Sequence, residues 1–148
     1  MSVEAVAVSI DPGTRTWGVA LWLACGSLVA SYQCRSDSPS LQWRMLMEIL
    51  MPHPLRMAWI EDQYMGQYCS NAEIIELAHA AGVCEAACLA AGCVDIRWVH
   101  PKTWHGYYHS NRMIEDRTVE MLVHGRRAGT DERSAVLIGG YGVRTPLP

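Results

Sequence analysis

Three acidic residues far apart in the chain, Asp11, Glu61 and Asp131, stand where side chains could do chemistry together. Asp11 closes the β-branched run Val3-Glu4-Ala5-Val6-Ala7-Val8-Ser9-Ile10 immediately before Pro12-Gly13, where the backbone must turn. Glu61 closes a second short apolar run, and Asp131 opens the last helical segment. Hydrolysis of a phosphodiester with two metal ions needs three or four carboxylates brought together from separate elements. Hard Mg²⁺ (or Mn²⁺) prefers oxygen ligands and must meet both the attacking and the leaving oxygen. Each acid also has an ordinary role: Asp before Pro-Gly is a turn residue, Glu after a strand is solvated, and an acid in a helix's first turn offsets the macrodipole. The chemistry is carried by the ordered set.

For the three to meet, the strands bearing Asp11 and Glu61 must be parallel neighbours, and the final helix must cross the same edge. The pattern predicts this. Gly18 to Leu23 and Leu28 to Cys34 read as strands joined by Cys25-Gly26-Ser27, so the chain opens as an antiparallel meander. Ser38-Pro39-Ser40 starts a helix with Leu41, Met45, Leu46 and Ile49 at helical spacing, stopped by Pro52. Arg56 to Glu61 is a strand, Asp62 to Ser70 a polar loop, and Asn71 to Ala91 a long alanine-rich helix ended by Gly92. Asp95 to Val99 is the fifth strand, Pro101 to His109 a loop, Met113 to Val123 a helix, and Thr130 to Gly139 the last helix, closed by Gly139-Gly140. The order βββαβαβαα implies an α/β domain, a mixed five-stranded sheet with helices on both faces, in the order of the ribonuclease H-like fold. Residues 1–143 form one domain and 144–148 a short tail.

The 148-residue chain is 50% hydrophobic and 18% charged, an ordinary globular composition that excludes a disordered or low-complexity chain. No run approaches the ~20 apolar residues that cross a bilayer, and no basic leader precedes the first strand, so a soluble, cytoplasmic protein is expected. Cys25, Cys34, Cys69, Cys84, Cys88 and Cys93 sit in apolar, alanine-rich surroundings without CxxC pairs, and read as free thiols packed as small hydrophobes. Cys84 and Cys88 stand four apart near His79, but no fourth zinc ligand is indicated. Trp17, Trp22, Trp43, Trp59 and Trp98 read as core or interface in a chain without phenylalanine. The net charge of −3 is divided unevenly. Residues 1–96 carry four arginines against ten acids, and residues 97–148 carry eight basic side chains against five acids. A basic final third is compatible with a local nucleic-acid footprint and equally with a solvated surface.

The run Ser9-Ile10-Asp11-Pro12-Gly13-Thr14-Arg15-Thr16-Trp17-Gly18-Val19-Ala20 resembles the first motif of the RuvC family of Holliday junction resolvases. Trp59-Ile60-Glu61-Asp62-Gln63-Tyr64-Met65-Gly66 resembles its second motif, Ala81-Gly82-Val83 the helix that follows, and Asp131-Glu132-Arg133-Ser134-Ala135-Val136-Leu137-Ile138 its final acidic helix. The resemblance covers nearly the whole chain and is similar to the compact versions of phage and bacterial genomes. It implies a metal-dependent endonuclease for branched DNA, with Asp11, Glu61 and Asp131 as metal ligands, two ions per site, and a homodimer. Paired cuts at a twofold-symmetric junction suit such a dimer, and the helix Asn71 to Ala91 is its expected interface. In the final helix the family holds an acid or histidine and then an acid three residues on, and the second position here is Ser134. A hydroxyl does not neutralise a divalent cation as a carboxylate does. Ser134 is thus native, with Asp131 or water filling the place, or an introduced change that blocks cutting while retaining fold and binding, or the register of the resemblance is off in this helix.

Tyr64 falls where the family carries an aromatic that stacks near the branch point. Lys102, the chain's one lysine, follows the fifth strand in His100-Pro101-Lys102-Thr103-Trp104, on the edge expected to hold the carboxylates, where an ammonium reaches a phosphate near the scissile bond. His105 and His109 are nearby and read as loop residues. Arg15, Arg112, Arg126 and Arg127 are lesser candidates for DNA-backbone contacts, chosen by location. Rival readings are a YqgF-type nuclease acting on RNA, a non-enzymatic branched-DNA-binding module, and a sugar-kinase-like nucleotide binder, which would need a second domain.

Overall fold

The structure is a computed structural model that describes residues 3–62 and 70–144. Five strands, β1 (Ala7–Asp11), β2 (Thr16–Trp22), β3 (Leu28–Arg35), β4 (Met57–Glu61) and β5 (Asp95–Val99), form one sheet in the order β3-β2-β1-β4-β5. The meander β1-β2-β3 is antiparallel, whereas β1, β4 and β5 run parallel. The carboxyl ends of β1, β4 and β5 therefore open on one edge. Ile10 pairs with Ile60, so the next residues, Asp11 and Glu61, stand side by side there.

Side chains alternate across each strand and divide the core in two. On one face Val8, Ile10, Val19, Leu21, Ala58 and Ile60 pack under α1 (Pro39–Leu50) and α2 (Asn71–Ala90), against Leu46, Leu50, Cys84, Ala87 and Cys88. On the other, Ala7, Ala20, Trp22 and Trp59 meet α3 (Pro101–Tyr107), α4 (Arg112–Leu122) and α5 (Thr130–Arg144) through Trp104, Tyr108, Val119 and Ala135 to Ile138. Full burial of each large side chain contributes roughly 1.5–3 kcal/mol. Asp11 shares the parity of Ala7 and Ser9, and Glu61 that of Met57 and Trp59, so both acids face the α5 side.

Two elements differ from the sequence expectation. Residues 101–107, expected as a loop because Pro101 and Gly106 punctuate them, form α3. Pro101 occupies the first turn, where its missing N–H costs nothing, and the His100 imidazole caps the helix by accepting from the Lys102 N–H. Helix α5 does not stop at Gly139-Gly140 but continues to Arg144. A Cβ at Gly139 would collide with the Trp22 indole and the Ser9 hydroxyl, and one at Gly142 would stand 2.6 Å from Trp59 Nε1. These glycines let the helix lie directly on two sheet tryptophans, and this contact outweighs their poor helix propensity.

Cys34, Cys84, Cys88 and Cys93 are buried free thiols as expected, but Cys25 is exposed in the β2–β3 turn. Trp17, Trp22 and Trp59 are core residues, while Trp43 and Trp98 are partly exposed. Among the described residues, no helix is long and apolar enough to cross a membrane.

Candidate active site

The edge at the ends of β1 and β4 is where Asp11 and Glu61 adjoin, with Asp131 and Ser134 of α5 nearby. Helix α5 reaches it because β2 offers no side chain in the way. Gly18, paired with Asp11 in the sheet, lies directly beneath the start of α5, where a methyl group would stand 2.6 Å from Glu132 N and closer still to the Asp131 carbonyl. Gln33, paired with Gly18 from β3, completes the docking. Its Oε1 accepts from the N–H groups of Asp131 and Glu132, both at 2.9 Å, and its Nε2 donates to Asp131 Oδ2 at 2.7 Å. A side chain from a remote strand thus does the work of an N-cap and holds the Asp131 carboxylate at the same time.

The electrostatics are those of crowded, poorly hydrated acids. The Asp11 carboxyl is pushed up to about 8, first by burial, then by the charges of Glu61 and Asp131 and by its hydrogen bond with Glu61. The nearby Ser134 hydroxyl, which donates to the Thr130 carbonyl at 3.4 Å, acts in the opposite direction. Positions 131 and 134, three apart on α5, are therefore both close enough to influence Asp11, although the Asp131 carboxylate is held by Gln33. Glu61 is also raised, by burial, against the lowering effects of Trp104, of Asp11 and of His105 and His100. The Trp104 indole N–H donates to Glu61 Oε2 at 2.7 Å.

Other expected residues have different placements. Glu132, also in the first turn of α5, turns away from the acids: it is buried, ion-paired to Arg126 and hydrogen-bonded by Ser31 and the Gly129 N–H. That pairing holds its carboxyl below the usual range against the opposing effect of burial. Arg126, a candidate for DNA contact, makes this ion pair while about half of its side chain stays exposed. Arg112 sits at the start of α4 within 3.9 Å of Asp116, and Arg127 is exposed on the loop before α5. Arg15 is exposed in the β1–β2 turn, beside a cleft that Thr14, Ser38, Gln42 and His79 also line. Lys102 is exposed on the first turn of α3, at the rim of an open cleft of about 660 Å³ lined also by His105, Arg112, Glu115 and Arg133. Tyr64 lies outside the described residues. Sequence reasoning did not single out Trp104 or Gln33 as site residues. The i, i+4 pair Trp104 and Tyr108 was the available signal for an apolar helical face at the end of β5.

Among the described residues, no group of three or more His, Cys, Asp and Glu side chains closes on a point that could hold a metal ion. Asp131 is drawn toward Gln33, which leaves Asp11 and Glu61 as the adjoining pair. Two carboxylates still fit Mg²⁺ or Mn²⁺, which commonly takes one or two protein carboxylates and completes its shell with water and substrate phosphate. An acid proton held up to about 8 is what a cation would displace.

A mixed sheet in this order, with helices on both faces, is a fold shared with solved RuvC structures. Among solved structures, Thermus thermophilus RuvC in complex with a Holliday junction substrate superposes with a TM-score of 0.78 at 13% identity, covering 95% of this chain and 94% of that one. A second T. thermophilus RuvC structure gives 0.75 at 15% identity and 93% of each chain. The yeast mitochondrial Holliday junction resolvase Ydc2 gives 0.59 at 12% identity, over 97% of this chain and 80% of that one. No family model matches the chain, and no curated protein matches it by sequence.

Proposed function

We propose that the chain is a divalent-metal-dependent endonuclease that cuts branched DNA, four-way junctions above all. The observation that carries this is the Asp11–Glu61 pair at the meeting point of β1, β4 and α5, with the Asp11 carboxyl held up to about 8, in a fold whose solved neighbours include a resolvase with its junction. Bound Mg²⁺ or Mn²⁺, two ions in the full mechanism, would activate the attacking water and offset charge on the leaving oxygen.

The chain's own groups have separable tasks. Asp11 and Glu61 are the ligands, and Asp131 is a third that must leave Gln33 to join them. Ser134 brings a hydroxyl near Asp11 but no charge, and that hydroxyl donates to the Thr130 carbonyl at 3.4 Å, so the chain as it stands is an impaired cutter. Lys102 holds a phosphate at the rim. Arg15, Arg112 and Arg127 are candidates for neighbouring backbone positions, and Tyr64 for stacking at the branch. A twofold homodimer through α2, whose Ile75 and Leu89 are each 55% exposed, would present two sites to a symmetric junction. Residues 1–143 act as one nuclease domain with 144–148 as a tail.

The test is cutting of a labelled four-way junction, linear duplex and structured RNA in Mg²⁺ or Mn²⁺. Junction-selective cutting that Asp11→Asn abolishes and Ser134→Asp accelerates about 100-fold or more supports the reading. Metal-independent junction binding, with no cutting even by Ser134→Asp, would instead mark a binding module, and preferential cutting of RNA would mark a YqgF-type enzyme.

A further inference from the structure

Trp104 is 2% exposed and sits in the core between α3, α5 and the sheet. Packing alone would be met by any large apolar side chain, but a buried indole N–H must also find an acceptor. Here the acceptor is Glu61, at 2.7 Å. The ring is braced on its other side. His105 stacks on it at a centroid separation of 3.6 Å, and His105 Nδ1 lies 2.6 Å from Glu115 Oε1. The nearly buried Glu115 accepts from Arg133 through its other oxygen at 3.1 Å, and Arg133 also reaches Asp116 at 2.7 Å. Arg133 lies on α5 between Asp131 and Ser134. A continuous set of contacts thus leaves the site at Glu61, passes through α3 and α4, and returns on the helix that carries Asp131.

We propose that Trp104 is a positioning residue of the carboxylate site, its indole N–H fixing Glu61 beside Asp11 while His105, Glu115 and Arg133 brace the ring. This rests on the metal-dependent reading above and deepens it. The choice of donor has a physical logic. Once both are ionised, as cation binding requires, the two carboxylates repel, and a fixed donor then keeps Glu61 in place. A lysine or arginine partner would hold it but would cancel the negative charge that attracts a cation. A neutral N–H orients one oxygen and leaves the charge of the pair intact.

The probe is Mn²⁺ alone, with free ion counted by electron paramagnetic resonance in the full chain. Trp104 is replaced by 3-benzothienylalanine, which keeps the bicyclic shape and lacks the N–H, and separately by Phe. The isostere is expected to weaken Mn²⁺ binding about 10-fold or more while melting within about 2 °C of the parent. Glu61→Gln should also weaken binding, and the isostere combined with Glu61→Gln should lose little beyond Glu61→Gln alone, because both act through one contact. Parent-like Mn²⁺ affinity of the isostere, or losses that simply add, would overturn the proposal and leave the metal site standing. A parent chain that shows no Mn²⁺ binding removable by Asp11→Asn would overturn both.

Discussion

Gly18→Ala adds one methyl group at the point where α5 rests on β2. That methyl would stand 2.6 Å from Glu132 N and closer to the Asp131 carbonyl, where ordinary carbon contacts need roughly 3.5 Å. Backbone atoms on both sides leave no flexible side chain to yield, so the start of α5 must lift by about 1 Å, taking Asp131, Ser134 and the Gln33 hydrogen bonds with it. Overpacking of this kind costs about 1–3 kcal/mol, which for a chain of this size lowers Tm by about 3–12 °C. A misplacement of ~1 Å at a reacting centre reduces rate about 100-fold. Differential scanning calorimetry and single-turnover junction cutting measure the two effects. Gly82→Ala is the control for stability alone: nothing in the same chain lies within 4 Å of the added methyl on exposed α2, so it should raise stability by roughly 0.5–1 kcal/mol. A Gly18→Ala chain that melts and cuts like the parent would refute the close approach of α5 as the feature that builds the site.

Other perturbations test the site's electrostatics and anchoring. Asp11, raised from 3.8 to about 8, favours its protonated form in the fold; that stability is fully present below pH ~4 and is lost as pH rises through ~8. In chelator, Asp11→Asn should therefore be more stable than the parent at pH 7 by on the order of 2–4 kcal/mol, after allowance for partial exposure, and its Tm should vary less between pH 4 and 8. A variant no more stable than the parent would argue against a strained acid. Arg126→Ala leaves the buried Glu132 carboxylate without its ion pair, and should cost about 1–3 kcal/mol by denaturant titration whether or not DNA is present. Gln33→Leu removes three hydrogen bonds at the head of α5, and should cost about 1–3 kcal/mol and detach Asp131 from β3, visible as faster amide exchange at Asp131 and Glu132.

The strand ends were legible because Asp11 and Glu61 each close a short apolar run, and the antiparallel opening left β1 free on its other side to take a parallel partner. Helix α3 was hidden because seven residues containing proline and glycine show too little period, and only the docking of Trp104 and Tyr108 stabilises them as a helix. The end of α5 was misplaced for a related reason: Gly139, Gly140 and Gly142 resemble a stop signal, yet their smallness serves contact with Trp22, Tyr108 and Trp59. Gln33 and Trp104 carry their meaning only in three dimensions, through strand parity and the neighbour each meets. In the basic final third, Arg126 and Arg133 are paired with Glu132, Glu115 and Asp116, a partnership that counting charges does not reveal.

The most direct measurement is anomalous scattering from crystals soaked in Mn²⁺, of the parent and of Asp11→Asn. A peak between the Asp11 and Glu61 carboxylates, absent from Asp11→Asn, is the expected result. Manganese bound elsewhere, or bound equally in the variant, would contradict a cation-dependent nuclease centre at this edge of the sheet.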